Sequence, residues 1–246
     1  LRFADACPIS IEPDCPRPLQ LLALHQTQEA VVLRDAIDGH WDDAFKRALT
    51  MLRLDTEYLP SSRTTLSQAV SRAHVHRTMK LVDVLLDGVA QEKQSERKPD
   101  AARMAQWVKD VIALLGKIRE EDVAPIRIVI AEYLFSAYAL DNLATAPQGR
   151  FSRGSVLLYD PGHALEMLNA RFRQYAAFAE RGGTGDVPQF PPNRLYLLHN
   201  PTGHLAVEAT RGPLESQIPA IVKDRALLFK DRQALQERLQ GLANFL

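Results

Sequence analysis

Two histidines, His199 and His204, flank the sequence Asn200-Pro201-Thr202-Gly203, and here residue type and spacing come closest to a site in this 246-residue chain. Asn at the first position of a turn, Pro at the second and Gly at the fourth are the preferences of a type I turn. The flanking runs Leu195-Tyr196-Leu197-Leu198 and Leu205-Ala206-Val207 then read as strands, which predicts a β-hairpin over residues 194–210. Opposed strands would carry His199 and His204 onto one face, where a metal could be bound together with His163 or Glu208. The competing reading is a set of polar residues at an exposed hairpin tip. The pair lacks an identified third ligand, so no metal is assigned, and His199, Asn200 and His204 stand as candidates for contact with a ligand or partner. The Asn-Pro-x-Gly core is similar to hairpins of uncharacterised bacterial envelope proteins, a resemblance that spans fewer than ten residues and implies no activity.

The remaining chemistry is more dispersed. Glu132 lies in the most apolar stretch of the chain, where burial would raise a carboxyl pKa and suit general acid work. The alternative is a structural ion pair. Arg127, five residues away, is poorly placed on the same helix face, so the partner would come from another helix. His74 and His76 are two apart, about 200° around a helix, and cannot share an ion there; both read as helix-surface or interface residues. Arg150, Arg153, Arg171 and Arg173 concentrate positive charge that could hold an anion or a lipid headgroup, against the default of a solvated face. There is no phosphate-binding loop, dinucleotide glycine pattern, HExxH or GxSxG elbow, and no signature calls for a cofactor.

Cys7 and Cys15 are the only cysteines, and they sit among Pro8, Pro13 and Pro16. A bridge closing so short a loop would stabilise the fold by about 2 to 3 kcal/mol and would suit an oxidising compartment such as a periplasm. The other reading is two reduced thiols. The run Ala4-Asp5-Ala6 before Cys7 has the small-x-small form of a lipoprotein cleavage site, with Asp5 off the pattern; a plain chain boundary is the alternative. The chain begins at Leu1 rather than Met, from which we expect that something upstream was removed; a signal peptide, a membrane anchor or a tag could each have stood there.

The elements that must position these residues are helical. Apolar residues recur every three or four positions from Pro18 onward. The pattern predicts a helix from Pro18 to about Asp38, stopped by Gly39, and another from Trp41 to about Tyr58, stopped by Pro60. The turn Gly39-His40-Trp41-Asp42-Asp43-Ala44 resembles that of tetratricopeptide-type repeats, but no second copy follows at a period near 34 residues. Ser61, Ser62, Thr64 and Thr65 are N-cap candidates for a third helix with the stripe Val75, Met79, Val82, Leu86 and Val89. Met104, Val108, Val111, Leu115 and Ile118 carry a similar stripe on a fourth. Pro125 to Leu140 is apolar almost all round and reads as a central buried helix. Asp160-Pro161 opens a helix that Gly182-Gly183 closes, and two more are expected over Ser216 to Phe229 and Asp231 to Asn244.

Fold class and function follow as expectations. The chain reads as mainly α, a multi-helix bundle or helical-hairpin array with one small β-hairpin. A Pro-rich segment (1–17) precedes a helical domain (18–144) and a second part (145–246) packed on it. Lys plus Arg and Asp plus Glu number 30 each, a balance that argues against nucleic-acid binding. The expected function is a non-catalytic protein-interaction or scaffold module of the bacterial envelope, periplasmic or membrane-anchored through an upstream segment. A hydrolase with its site between helical body and hairpin, and a cytoplasmic adaptor, are the alternatives.

Overall fold

The structure is a computed structural model. It describes residues 18–62, 64–93, 98–145, 159–190, 199–209 and 211–244. Cys7, Cys15, Arg150 and Arg153 lie outside these residues. The fold is mainly helical, with eight α-helices and no strand among the described residues: α1 (Pro18–Ile37), α2 (Trp41–Tyr58), α3 (Thr65–Gln91), α4 (Ala101–Leu115), α5 (Pro125–Thr145), α6 (Pro161–Glu180), α7 (Pro201–Ala209) and α8 (Arg211–Ala243). No described helix is long and apolar enough to cross a membrane.

Local chemistry accounts for the helix boundaries. At the α1–α2 turn the chain passes through the left-handed region at Gly39 (φ 80°), and the His40 amide donates back to the Asp35 carbonyl at 2.8 Å, the six-to-one bond of a glycine-closed helix end. Thr64, among the four cap candidates, opens α3: its hydroxyl accepts from the Ser67 amide at 3.1 Å, while the Ser67 hydroxyl accepts from the Thr64 amide at 2.9 Å. Asp100 and Asp160 cap α4 and α6 by single bonds, their carboxylates accepting from the Arg103 and His163 amides.

The predicted β-hairpin is not formed where the structure describes it: Pro201–Ala209 is the helix α7, while residues 191–198 lie outside the described residues. The turn reading failed because the first half of a type I turn and the first turn of a helix share backbone angles and residue preferences. Asn before Pro serves a helix N-cap with Pro at its first position equally well. Tertiary contact decides the outcome, since Asn200 is wholly buried and its carboxamide clasps the start of α6. Its Oδ1 accepts from the Gly203 amide at 3.0 Å and the Asp160 amide at 3.0 Å, and its Nδ2 donates to the Asp160 carbonyl at 2.7 Å.

Two apolar cores result. The first gathers α1 to α4 around Phe45, Leu52, Val82, Leu85 and Leu115, with Phe45 stacked on Trp107 at 4.2 Å. The second packs α5, α6 and α7 around Leu168, Tyr175, Phe178 and Val207. The two helices expected near the C-terminus are one, α8, about 50 Å long at 1.5 Å per residue. It carries Pro219 internally, contributes Ile218 to the second core and contributes Leu228, Leu235 and Leu239 to the first. Buried Arg72 of α3 fastens it by donating to the Ile221 carbonyl at 3.1 Å.

α5 is not the buried central helix that its composition predicts. Ile128, Val129 and Leu140 are buried against neighbouring helices, but Ile130, Leu134, Phe135 and Tyr138 are 52%, 48%, 42% and 47% exposed. α5 is packed chiefly on α6, with slighter contact to α3, α7 and α8, so one flank of an all-round apolar helix is left uncovered by the described residues.

Candidate functional site

The chemistry that sequence spacing could not bring together lies where α1, α2 and α3 meet. His25 comes from α1, Asp55 from the last turns of α2, and His74 and Thr78 from one face of α3; all four are buried. Thr78 donates its hydroxyl to Asp55 Oδ2 at 2.6 Å, which uses its only hydrogen. His25 Nε2, 2.9 Å from Thr78 Oγ1 and 3.2 Å from Asp55 Oδ2, must therefore carry a proton and donate into that pair. His25 Nδ1 is then a buried acceptor with no partner.

The His74 ring stacks on that of His25, with centroids 4.3 Å apart and 15° between planes. Its Nδ1 faces Asp55 Oδ1 at 3.7 Å, beyond hydrogen-bond reach, and its Nε2 is buried and unpartnered. Burial pushes the His74 imidazole down to about 4, with Asp55 opposing and with His25 and Arg77 adding to the fall, so His74 is neutral near pH 7. The cluster floors a cleft of about 120 Å³ whose other walls are mostly apolar: Leu21, Leu24, Met51 and Leu54, with Gln28 and Tyr58. Leu24 and Leu54 are exposed at its rim. Among the described residues, His25, Asp55 and His74 are the one set of three side chains whose ligand atoms converge, all within 4.8 Å of one another.

Sequence reasoning missed this site and took His74 for a surface or interface residue. Only His76 lies at an interface with partial exposure, pairing through Nδ1 with Asp231 of α8 at 3.0 Å. A signal was available in the stripes. Asp55 falls in the buried series Ala48, Leu52, Asp55 and Leu59, and His74 lies beside Val75, Thr78 and Val82. Polar residues at core positions of consecutive helices are candidates to meet one another. The pairing across 30 and 49 residues is not visible in any local spacing.

The residues singled out from sequence are placed apart. Asn200 is the clasp described above. His204 is buried in the first turn of α7, His199 is exposed, and neither joins a convergent metal-ligating set among the described residues, nor does His163. Glu208 binds Arg171, which is buried, donates to the Val207 carbonyl at 2.6 Å and lies over the Phe190 ring at 5.0 Å. Arg171 thus holds α7 to α6, whereas Arg173 is exposed. Glu132 accepts from the Thr65 amide at 3.0 Å and from the Thr65 hydroxyl, placing its carboxylate at the positive end of α3. Arg127 binds the Pro60 carbonyl at 2.6 Å and pairs with Asp122 at 3.7 Å.

The chain matches no family model, no curated protein sequence and no solved structure.

Proposed function

We propose that the chain is a non-catalytic interaction module of the bacterial cell envelope and that the uncovered flank of α5 receives a protein partner. The observation that carries this reading is the row Ile130, Leu134 and Tyr138 at every fourth position, with Phe135 beside it, each 42% or more exposed. Isolated exposed apolar residues are ordinary, but a row of two aliphatic and two aromatic side chains on one helix is the pattern of a contact surface. Anchors four residues apart are also how helices present themselves to grooves. The equal numbers of acidic and basic residues suit an apolar rather than an electrostatic contact. Placement in the envelope rests on the Pro-rich N-terminal sequence with Cys7 and Cys15.

Site-specific photocrosslinking in the native host tests this reading. A photoreactive residue at Leu134 is expected to give one discrete protein adduct that is lost when Ile130→Glu is added, while the same residue at exposed Lys109 of α4 gives none. The chain should fractionate with the envelope. No adduct from position 134, or equal labelling from 109, refutes the surface; recovery in the cytosolic fraction refutes the placement.

A further inference from the structure

We infer that His25, Asp55 and His74 form a binding site for a zinc-class divalent ion, with a fourth coordination position open to the apolar cleft between α1 and α2. The donor set is two imidazoles and one carboxylate, and its ligand atoms all lie within 4.8 Å of one another. Bonds of 2.0–2.1 Å around a tetrahedral ion place neighbouring ligand atoms about 3.3 Å apart. His25 Nε2 lies 3.2 Å from Asp55 Oδ2 and His74 Nδ1 lies 3.7 Å from Asp55 Oδ1, so three-ligand coordination through one carboxylate oxygen requires one of the two stacked rings to turn toward the oxygen that the other faces.

Of the proposed ligand atoms, His74 Nδ1 is the one left unmet: its ring is 5% exposed, yet Nδ1 lies too far from Asp55 to bond it, and an ion between them would fill that gap. The far ring nitrogens, His25 Nδ1 and His74 Nε2, have no hydrogen-bond partner with or without the ion. Burying unmet imidazole nitrogens and a carboxylate among leucines costs stability that apolar side chains in those places would not. The nearby Arg77 does not neutralise the carboxylate, because it binds Glu29 at 2.6 Å and 3.0 Å. A divalent cation bound by Asp55 and both rings would supply the missing positive charge.

On binding, the proton on His25 Nε2 moves to Nδ1, which leaves the ring neutral and the Nε2 lone pair free for the ion, and Thr78 keeps Asp55 Oδ2 oriented from behind, the role of an outer-shell hydrogen bond. Three protein ligands and a fourth position facing a cleft of about 120 Å³ correspond to an exchangeable site, where water or the anionic head of a small apolar ligand completes the shell.

The experiment uses the full chain without a histidine tag, stripped with chelator, dialysed and titrated with Co2+ and then Zn2+. One equivalent of Co2+ is expected to bind with the intense visible absorption of four-coordinate cobalt, and Zn2+ should displace it. Asp55→Asn, His25→Gln and His74→Gln should each weaken binding by about a hundredfold or more, Thr78→Val by about 10- to 100-fold, and His76→Gln not at all. Should a ligand variant not fold, NMR of the imidazole nitrogens of the wild-type protein decides: of the seven histidines, Zn2+ should shift His25 and His74 and leave the other five. Absence of stoichiometric binding, binding retained in His74→Gln, or shifts confined to other histidines overturns the site.

Discussion

Replacing Gly203 with Ala separates a hairpin turn from the helix cap that the structure contains. In a type I turn the fourth residue tolerates Ala, and within a helix Ala is favoured over Gly by about 1 kcal/mol. Here the Asn200 side chain folds back over the third helical residue, and a Cβ on Gly203 would lie within 2.6 Å of its carboxamide carbon. Either the carboxamide swings away and loses its bonds to the Gly203 amide, the Asp160 amide and the Asp160 carbonyl, or the overlap is relieved by moving α7.

Three bonds at about 1 kcal/mol each, with the buried Gly203 amide left unmet, set the expected loss at about 3 kcal/mol. For a chain of this length that is a fall in melting temperature of about 6 to 12 °C. Asn200→Ala removes the same three bonds and should cost a similar amount. The double variant should cost no more than Asn200→Ala alone, because the overlap is gone and the helical preference of Ala returns up to about 1 kcal/mol. Urea unfolding followed by circular dichroism supplies the full cycle, and a coupling of about 3 kcal/mol is expected. A neutral or stabilising Gly203→Ala in the wild-type background, or additive single changes, would refute the clasp.

Other outcomes follow from burial and charge. Phe45→Ala removes a ring that is 1% exposed and stacked on Trp107; it should cost about 3 to 5 kcal/mol and alter tryptophan fluorescence, and a loss below 1 kcal/mol would contradict the first core. Leu134→Ser, on the uncovered flank of α5, should change stability by no more than about 0.5 kcal/mol, whereas a loss of several kcal/mol in urea melts would mean the flank is covered. In metal-free protein His74 stays neutral down to about pH 4, while the unfolded chain takes up that proton near 6.5. The unfolded state therefore binds more protons in that window, so this contribution is complete above 6.5 and lost as pH falls toward 4. At 1.36 kcal/mol per pH unit the loss approaches about 3 kcal/mol. Melts at pH 7 and pH 5 should show a smaller difference in His74→Gln than in the wild type, and an unchanged difference would count against the burial of that ring.

What was legible in the chain is what local chemistry controls. The starts of α1 and α2, the glycine that ends α1, the caps Thr64 and Asp160 and the apolar stripes of α3 and α4 are written in residues no more than a few positions apart. They appear in the structure because capping bonds and the 3.6-residue period act over that range. Where two local structures share the same preferences, sequence alone could not choose: Asn200-Pro201-Thr202-Gly203 satisfies a turn and a helix cap alike, and contact with Asp160, forty residues away, decides for the cap. Composition likewise made α5 apolar on all sides but could not say that only part of its surface would be covered. The meeting of His25 and Asp55 with His74 depends wholly on tertiary structure, because each sits singly in the stripe of a different helix and only the packing of α1, α2 and α3 makes them neighbours.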